Sequence, residues 1–244
     1  GSPYADLERL VESRTRLVIV SQVSFRTGFR VDVGRVAAVA HAAGALLLVD
    51  ATQAFGVVPV ALAPADIVVA STFKWALAAH GAAVLAVADT GRELEPTYVG
   101  WRGIADLFEP IHHGRYTRWP DARRFEEGMP GFGALYSLEA SLELLASIGP
   151  DRIADTVAAR VAEILDGVRG IGIRTLASPD SAERAGIVAI ETEDPESVAA
   201  ALARDDVIVW GRDGRVRLSP HLYTSAADVA RLLDRLAGVP ALRA

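Results

Sequence analysis

A single lysine, Lys74, stands among 24 arginines in this sequence of 244 residues. It follows the apolar run "ADIVVAS", which is typical of a buried strand, and Asp50 ends the preceding apolar run "ALLLVD". Ligands of open α/β sheets collect at the carboxyl ends of the strands, and so we expect a carboxylate and an amine to meet at one edge. A primary amine condenses with an aldehyde, which a guanidinium does not do.

This pair of groups suits one cofactor in particular. Pyridoxal phosphate carries an aldehyde that forms a Schiff base with lysine, and a pyridine nitrogen that a carboxylate keeps protonated. Two plainer interpretations stay open at this point: Asp50 as the N-cap of the segment that follows it, and Lys74 as a solvated surface residue. The surrounding sequence has to decide between them.

The first hundred residues predict an α/β fold. The run "RLVIVSQV" (residues 16–23) has the continuous apolar character of a strand buried on both faces. A helix is predicted over "DVGRVAAVAHAAG", with Asp32 as its N-cap and Gly44 at its end. Three more strands follow in "ALLLVD", "ADIVVAS" and "AAVLAVAD". Strand, helix and strand at these lengths imply right-handed crossovers and a mainly parallel sheet.

Two further regions complete the predicted organisation. Residues 89–134 lack periodicity and are rich in aromatic side chains, which favours a functional or tightly packed loop region over disorder. Beyond them, helical apolar stripes alternate with the strand-like runs "GIVAIET", "DVIVW" and "RVRLS", and a last helix opens with a capping box of Ser225 and Asp228. The chain is therefore predicted to hold a partial large domain over residues 1–134 and a small α+β domain over residues 135–244.

Composition argues against several classes of protein. A net charge of −6 disfavours nucleic-acid and membrane-surface partners. The apolar runs are too short to cross a bilayer, and no signal peptide is visible. The absence of cysteine excludes a thiolate zinc site, and the five histidines show no metal-ligand spacing. A cytoplasmic protein without a bound metal is the expectation.

Four blocks of sequence resemble the class V aminotransferase family of fold-type I pyridoxal-phosphate enzymes, which includes cysteine desulfurases, kynureninases and isopenicillin N epimerases. The blocks are "LLLVDATQAFGVVPV", "ADIVVASTFKWALAAHGAAVLAV", "RRFEEGMPGFGALYSLEASLELLASIG" and "VRLSPHLYTSAADVARLL". They follow the order of the family and cover nearly the whole chain. The resemblance implies the second half of a fold-type I large domain, with a mainly parallel sheet, followed by a small α+β C-terminal domain.

The resemblance also implies a set of site residues. Asp50 matches the residue that pairs with the pyridine nitrogen, and Gln53 matches the side chain that hydrogen-bonds the cofactor's phenolic oxygen. Ser71 matches a phosphate donor, and Lys74 matches the Schiff-base lysine, which also moves the α-proton of the substrate. Arg217 matches the arginine that clamps the substrate carboxylate, a role that suits a planar, two-pronged donor. The alternative for Arg217 is a structural ion pair in the small domain.

Three positions depart from the pattern of the family. Phe73 stands immediately before the lysine, where the family usually has His or, in kynureninases, Tyr, and it offers no polar atom to the phosphate. Gly128-Met129 replaces the usual Gly-Thr, and so a hydroxyl that reaches the neighbouring subunit's phosphate is lost. Kynureninase-like members have His where this chain has Gln53, which weakens that substrate assignment.

Members of the family also carry a long stretch before the point that matches the start of this chain. That stretch holds the turn that grips the phosphate and the ring that stacks on the cofactor. Without it, "RLVIVSQV" or its neighbour would form an apolar sheet edge, which tends to pair with another chain. We therefore expect a homo-oligomer such as a dimer, or a companion chain that supplies the N-terminal strands.

The resulting hypothesis is a pyridoxal-phosphate-dependent enzyme, or its C-terminal portion, that acts on an amino acid through a Schiff base at Lys74. The sequence does not choose between aminotransferase-type and lyase-type chemistry, or between transamination, elimination, epimerisation and Cα–Cβ cleavage. The alternative is a non-catalytic subunit or degenerate relative that keeps the fold for assembly or regulation. Phe73 and Met129 favour that alternative, whereas the matched site residues together oppose it.

Overall fold

The computed structural model describes residues 3–60, 62–89, 94–108 and 115–242. Its helices and strands, in chain order, are α1 (Pro3–Leu10), β1 (Leu17–Ser21), α2 (Val33–Ala42), β2 (Leu46–Asp50), β3 (Ile67–Ser71), β4 (Ala83–Val87), α3 (Phe132–Ile148), α4 (Pro150–Gly170), β5 (Val188–Glu191), α5 (Pro195–Ala203), β6 (Trp210–Arg212), β7 (Arg215–Leu218) and α6 (Ala226–Ala237). Short 3₁₀ helices lie at Trp101–Gly103, Ala122–Phe125, Ser181–Glu183 and Pro240–Leu242. In the described part of the chain, the strands form a four-stranded sheet in the order β1-β2-β3-β4 and a three-stranded sheet in the order β5-β7-β6.

The chain separates into two compact units. The first unit comprises Gly1–Val20, Val33–Thr52 and Ala61–Leu142, and the second comprises Ser21–Asp32, Gln53–Val60 and Glu143–Ala244. Two early segments of the chain thus cluster with the C-terminal residues, which a linear reading of the sequence does not reveal. The domain boundary predicted after residue 134 stays a prediction.

Parallel pairing of β2 with β3 sets the frame of the first unit. Leu48 is paired with Ile67, and Asp50 with Val69. β4 then returns antiparallel to β3, with Ser71 paired to Ala83. The mixed α/β sheet, largely parallel, together with the small antiparallel sheet of the second unit, confirms the predicted fold class.

The core of the first unit lies between the sheet and α2. Leu47 and Val49 of β2 are fully buried. One face of α2 is buried too, and it consists of small and β-branched side chains: Val33, Val36, Ala37 and Ala40. Gly44 has a φ of 73°, the left-handed conformation that ends a helix without a Cβ penalty. The predicted helix and the three strands after it are confirmed.

β1 lies at the edge of the described sheet and differs from the prediction in its burial. Leu17 is 43% exposed and Ile19 is 66% exposed, whereas Val18 between them is buried. The prediction of a strand buried on both faces is therefore wrong for β1. Among the described residues, nothing covers the sheet face that carries Leu17 and Ile19.

A buried carboxylate joins β2 to the start of β3. Asp66 is 2% exposed, and its Oδ2 accepts a hydrogen bond from the Leu47 N–H at 2.7 Å. The Asp66 N–H donates in turn to the Leu47 carbonyl at 3.0 Å, and Nε2 of His41 lies 2.9 Å from the same carboxylate oxygen. These contacts fix the register from which the two strands run towards their carboxyl ends.

The described part of the aromatic-rich region is held by contacts between arginines and rings. The Arg123 guanidinium lies 3.8 Å from the centroid of Trp119, whose Nε1 donates to the Arg102 carbonyl at 3.1 Å. Hydrogen bonds from the side chain and then the N–H of Arg123 lower the pKa of Asp121 to about 2. An isolated bridge pairs Ile104 with Arg118. Residues 90–93 and 109–114 of the predicted loop lie outside the described residues.

The second unit packs helices against the sheet β5-β7-β6. The apolar stripe of α4 is buried, as its periodicity indicates: Ile153, Val157, Val161, Ile164, Leu165 and Val168. Asp194 caps α5 by accepting from the Ser197 N–H, and Ser225 and Asp228 form the predicted capping box of α6. The strand predicted over "DVIVW" is wrong for its first four residues, because β6 begins only at Trp210.

Gly28 is a position of the second unit that requires glycine. Its φ is 76°, and a Cβ there would lie 2.2 Å from the carbonyl oxygen of Ile187. No other residue type fits such a close approach of two backbone segments. In the part of the chain that the structure describes, no helix combines the length and the apolarity that crossing a membrane would need.

We predict that Asp66→Ala lowers the free energy of unfolding by about 2–3 kcal/mol, because it leaves the buried Leu47 N–H without its acceptor. Chemical denaturation followed by circular dichroism measures the change. The matched control is Asp6→Ala, which removes an exposed carboxylate paired with Arg9 and should change stability by less than about 0.5 kcal/mol. Equal effects of the two substitutions would contradict the structural role of Asp66.

Candidate active site

The carboxyl ends of β2 and β3 are tied together by Thr52. Its N–H donates to Oδ1 of Asp50 at 2.9 Å, and its Oγ1 accepts from the Ser71 N–H at 3.0 Å. The Ala51 N–H donates to the carbonyl of Val69 at 2.8 Å, which extends the parallel ladder to the strand ends. Half-buried Asp50 is thereby held in a fixed orientation beside the end of β3.

Lys74 lies in the loop between β3 and β4, three residues beyond Ser71. Its side chain is exposed. No described residue forms an ion pair or a hydrogen bond with its ammonium group, and the Nζ atom lies 6.0 Å from the centroid of the Phe73 ring. The only lysine of the sequence is thus a cation left available to a ligand.

Hydrogen bonds close the loop that carries Lys74. The buried Thr72 donates from Oγ1 to the Ala82 carbonyl at 2.9 Å, and the Thr72 carbonyl accepts from the Ala78 N–H at 3.1 Å. Leu77 has a φ of 59°, a left-handed conformation that is uncommon for a residue with a Cβ. The loop is therefore folded back on itself, and the strained conformation of Leu77 requires support from outside the loop.

That support comes from two serines one turn apart on α3. Oγ of Ser137 accepts from the Ala79 N–H at 2.9 Å. Oγ of Ser141, which is buried, donates to the Ala76 carbonyl. The residues at positions i and i+4 of a helix lie on one face, so this face of α3 holds the backbone of the lysine loop at two points.

Phe73 and His80 pack together within the same loop. Their rings are stacked, with centroids 4.0 Å apart and planes inclined by 23°. Both rings are exposed at least in part. An imidazole thus stands beside the apolar ring that precedes the lysine.

Gln53 and Arg217 belong to the second unit. Gln53 is buried. Arg217 is half-buried on β7 and donates from Nη1 to the Phe25 carbonyl at 3.2 Å. Burial lowers the pKa of its guanidinium, and the neighbouring charge of Arg215 lowers that pKa further. The roles assigned to Gln53 and Arg217 stay predictions.

The groups of the first unit fit pyridoxal phosphate by the chemistry of their donors. Lys74 offers a primary amine without a partner, Asp50 offers a carboxylate for a protonated pyridine nitrogen, and the Ser71 hydroxyl has no partner among the described residues. No cluster of three or more His, Asp or Glu in the described chain is placed to hold a metal ion.

Comparison with solved structures defines the class of protein. The chain superposes on the apo cysteine desulfurase of Thermococcus onnurineus NA1 with a TM-score of 0.85 and 26% identity, covering 97% of this chain and 62% of that one. It matches a complex of the cystine C-S lyase C-DES with a TM-score of 0.86 and 25% identity, covering 97% and 65%. The fold is that of pyridoxal-phosphate-dependent enzymes of the cysteine desulfurase type.

The chain belongs to the class-V aminotransferase family, whose model matches residues 3–232. It is 31% identical over 238 residues to the uncharacterized aminotransferase YcbU of Bacillus subtilis, covering 96% of this chain and 62% of that protein. It is 31% identical over 256 residues to isopenicillin N epimerase of Amycolatopsis lactamdurans, covering 97% and 64%. The chain therefore spans a little under two thirds of these relatives. Class-V aminotransferases depend on pyridoxal phosphate.

Sequence reasoning missed the residues that position the site. Thr52 had one signal, its place two residues after Asp50, where a side-chain carboxylate commonly accepts a backbone hydrogen bond. Ser137 and Ser141 had none, because their partners lie about sixty residues away along the chain. The structure supplies these contacts only through tertiary packing.

We predict that Thr52→Val speeds hydrogen exchange of the Ser71 amide about tenfold, because valine keeps the side-chain shape and removes the acceptor. Exchange of assigned amides followed by NMR measures the effect. Thr52→Ser keeps the hydroxyl and should exchange like the wild type. The Ala51 amide, bonded to the Val69 carbonyl, should not change in either variant. Equal Ser71 exchange in the valine and serine variants would show that Thr52 does not tie the strands.

Proposed function

We propose that this chain is the lysine-bearing part of a pyridoxal-phosphate-dependent enzyme that acts on an amino acid by transferase- or lyase-type chemistry. The observation that carries the proposal is Lys74. It is the only lysine of the sequence, it has no ionic partner in the described structure, and it follows the strand that is paired with the Asp50 strand. Membership of the class-V aminotransferase family supports the same reading.

Each group of the first unit has a role in this proposal. Bound pyridoxal phosphate supplies an aldehyde and a ring that withdraws electrons from the α-carbon of the substrate. Lys74 is the amine to which the aldehyde attaches, and its Nζ carries a proton to or from the substrate once it is released. Asp50 keeps the pyridine nitrogen protonated, and the Ser71 hydroxyl donates to the phosphate. Gln53 is proposed to donate to the phenolic oxygen.

Arg217 is proposed to bind the carboxylate of the amino-acid substrate. Within the described residues its guanidinium has no anionic partner, and its Nη1 is occupied only by the Phe25 carbonyl. A half-buried cation without a counter-ion is costly, and a carboxylate ligand offsets that cost through charge-assisted hydrogen bonds. The absence of an ion pair at Arg217 supports this role over the structural alternative.

The similar proteins do not favour one reaction or one substrate over the others. Relatives named cysteine desulfurase, kynureninase and isopenicillin N epimerase match the chain at similar identities. A non-catalytic role is not favoured, because a structural subunit has no use for an available amine and an oriented carboxylate that follow two paired strands. A cytoplasmic location stays a prediction from composition.

We predict that equimolar pyridoxal phosphate followed by borohydride places one pyridoxyl group on the peptide that contains Lys74. Peptide mapping by mass spectrometry measures the position and the yield. Lys74→Ala and Lys74→Arg should both lose the adduct, and the arginine variant serves as control because it keeps the charge and lacks the primary amine.

Two results would contradict the assignment of Lys74 as the attachment point. One is an adduct confined to the N-terminal amine, the other primary amine of the chain. The other is an unchanged yield in the Lys74→Ala variant.

A second chain is proposed to pair with the edge of β1. β1 is the edge strand of the described sheet, and the backbone of an edge strand favours pairing with a strand of another polypeptide. Its exposed Leu17 and Ile19 add an apolar face that a second chain would cover. The other polypeptide is either a second copy in a homo-oligomer or a companion chain that supplies N-terminal strands.

We predict that the chain alone self-associates through this edge, and that Ile19→Lys shifts it towards the monomer, because a charge on an edge strand opposes pairing. Size-exclusion chromatography with light scattering measures the mass. Leu10→Lys is the matched control: Leu10 is 62% exposed on α1, so the same substitution there should leave the mass unchanged. A wild-type chain that is monomeric at tens of micromolar would refute self-association through β1.

A further inference from the structure

Four charged or aromatic side chains of β6 and β7 share one face of the small sheet. Trp210 of β6 lies directly opposite Arg217 of β7, and Arg212 lies opposite Arg215. Directly paired residues of antiparallel strands point to the same face. The side chain of Trp210 is therefore a direct neighbour of Arg217 and a diagonal neighbour of Arg215. The distances agree: the two guanidinium carbons lie over the Trp210 ring, 5.0 Å from its centroid for Arg217 and 5.2 Å for Arg215.

Arg215 is already neutralised. It is 1% exposed, its Nη1 donates to the Asp213 carbonyl at 2.9 Å, and its Nη2 contacts Oδ2 of the same residue at 3.3 Å. Asp213 stands in the turn between β6 and β7 with a φ of 51°. Arg215 is therefore bound within its own hairpin and is not available to an outside anion.

Arg217 differs because no described carboxylate forms an ion pair with it. Glu191, which lies opposite Arg215, pairs with Arg174 at 2.8 Å. The Nε atom of Arg217 is enclosed and has no acceptor among the described residues, and the same is true of Nε of Arg215. Both arginines thus have an enclosed N–H group without an acceptor, and both lie over one indole. This arrangement indicates that the electron-rich ring of Trp210 stabilises both guanidinium groups in place of the missing acceptors. A cation over an indole is stabilised in this way, more strongly where water is excluded.

We propose that Trp210 is a positioning residue that holds the Arg217 guanidinium in place for a carboxylate ligand. The indole covers one side of the guanidinium, and the Phe25 carbonyl fixes Nη1. Together these contacts limit the rotamers of a long side chain before a ligand arrives, which lowers the entropic cost of binding. Trp210 then acts on carboxylate affinity through Arg217 and not by its own contact with the ligand. This inference rests on the proposed role of Arg217.

The test is the affinity of the full chain for acetate and for L-alanine, measured by NMR titration of the backbone amides of β6 and β7 at constant ionic strength. We expect Trp210→Leu to weaken binding about fivefold to tenfold. Trp210→Phe keeps a smaller aromatic face and should weaken binding about threefold. Affinity for pyridoxal phosphate should stay within twofold of the wild type in both variants. A merely structural role of Trp210 would not lower the affinity for carboxylates while sparing that for pyridoxal phosphate.

The matched control is Trp119→Leu, which removes a comparable stack in the first unit, that of Arg123 on Trp119 at 3.8 Å. It should leave acetate binding unchanged. Arg217→Lys keeps the charge without the two-pronged geometry and should abolish measurable acetate binding.

The outcomes separate the two proposals. Wild-type affinity in Arg217→Lys would overturn the proposed carboxylate site itself. Loss of binding in Arg217→Lys with wild-type affinity in Trp210→Leu would overturn only the role of Trp210. If the leucine variant does not fold, Trp210→Phe and Trp210→Tyr decide the question, since equal and undiminished affinities in both would also overturn it.

Discussion

Parallel pairing of β2 with β3 is the constraint on which the candidate site depends. Since both strands run in the same direction, their carboxyl ends share one edge, and the residues that follow them meet there. Asp66 sets the register at the start of the pair, and Thr52 closes it at the end. Asp50 is oriented by this closure, and the loop that carries Lys74 starts from it. Slippage of the register would break the contacts of Thr52 that join the two strand ends.

The lysine loop illustrates how an irregular segment is held for chemistry. A left-handed residue such as Leu77 costs free energy, and hydrogen bonds that a regular strand would make are missing in the loop. Thr72 replaces some of them within the loop, and Ser137 and Ser141 of α3 replace others from outside. The result is a backbone that is fixed at several points while the Lys74 side chain stays exposed.

The second unit meets a different electrostatic problem. Two arginines on one face of β7 repel each other, and burial makes their charges costly. Asp213 neutralises Arg215 inside the hairpin, whereas Arg217 keeps its charge beside the indole of Trp210. Desolvation and the nearby Arg215 lower the pKa of Arg217, yet a guanidinium stays protonated under all ordinary conditions. Among the described residues, the unit thereby maintains a half-buried cation without an ionic partner.

Local patterns in the sequence were sufficient for most elements of the fold and for naming the candidate site residues. Apolar runs, caps and the lone lysine are properties of neighbouring residues, so β2, β3 and α6 follow from them, whereas the meeting of Asp50 and Lys74 at one edge stays a prediction. Three matters were decided only by tertiary structure: the exposure of Ile19, the contacts that hold the lysine loop, and the stacking of Trp210 on Arg217. The first two depend on which distant segments lie alongside, and the third depends on the register of the β6–β7 hairpin. The free energy of such contacts is not encoded in any local period of the sequence.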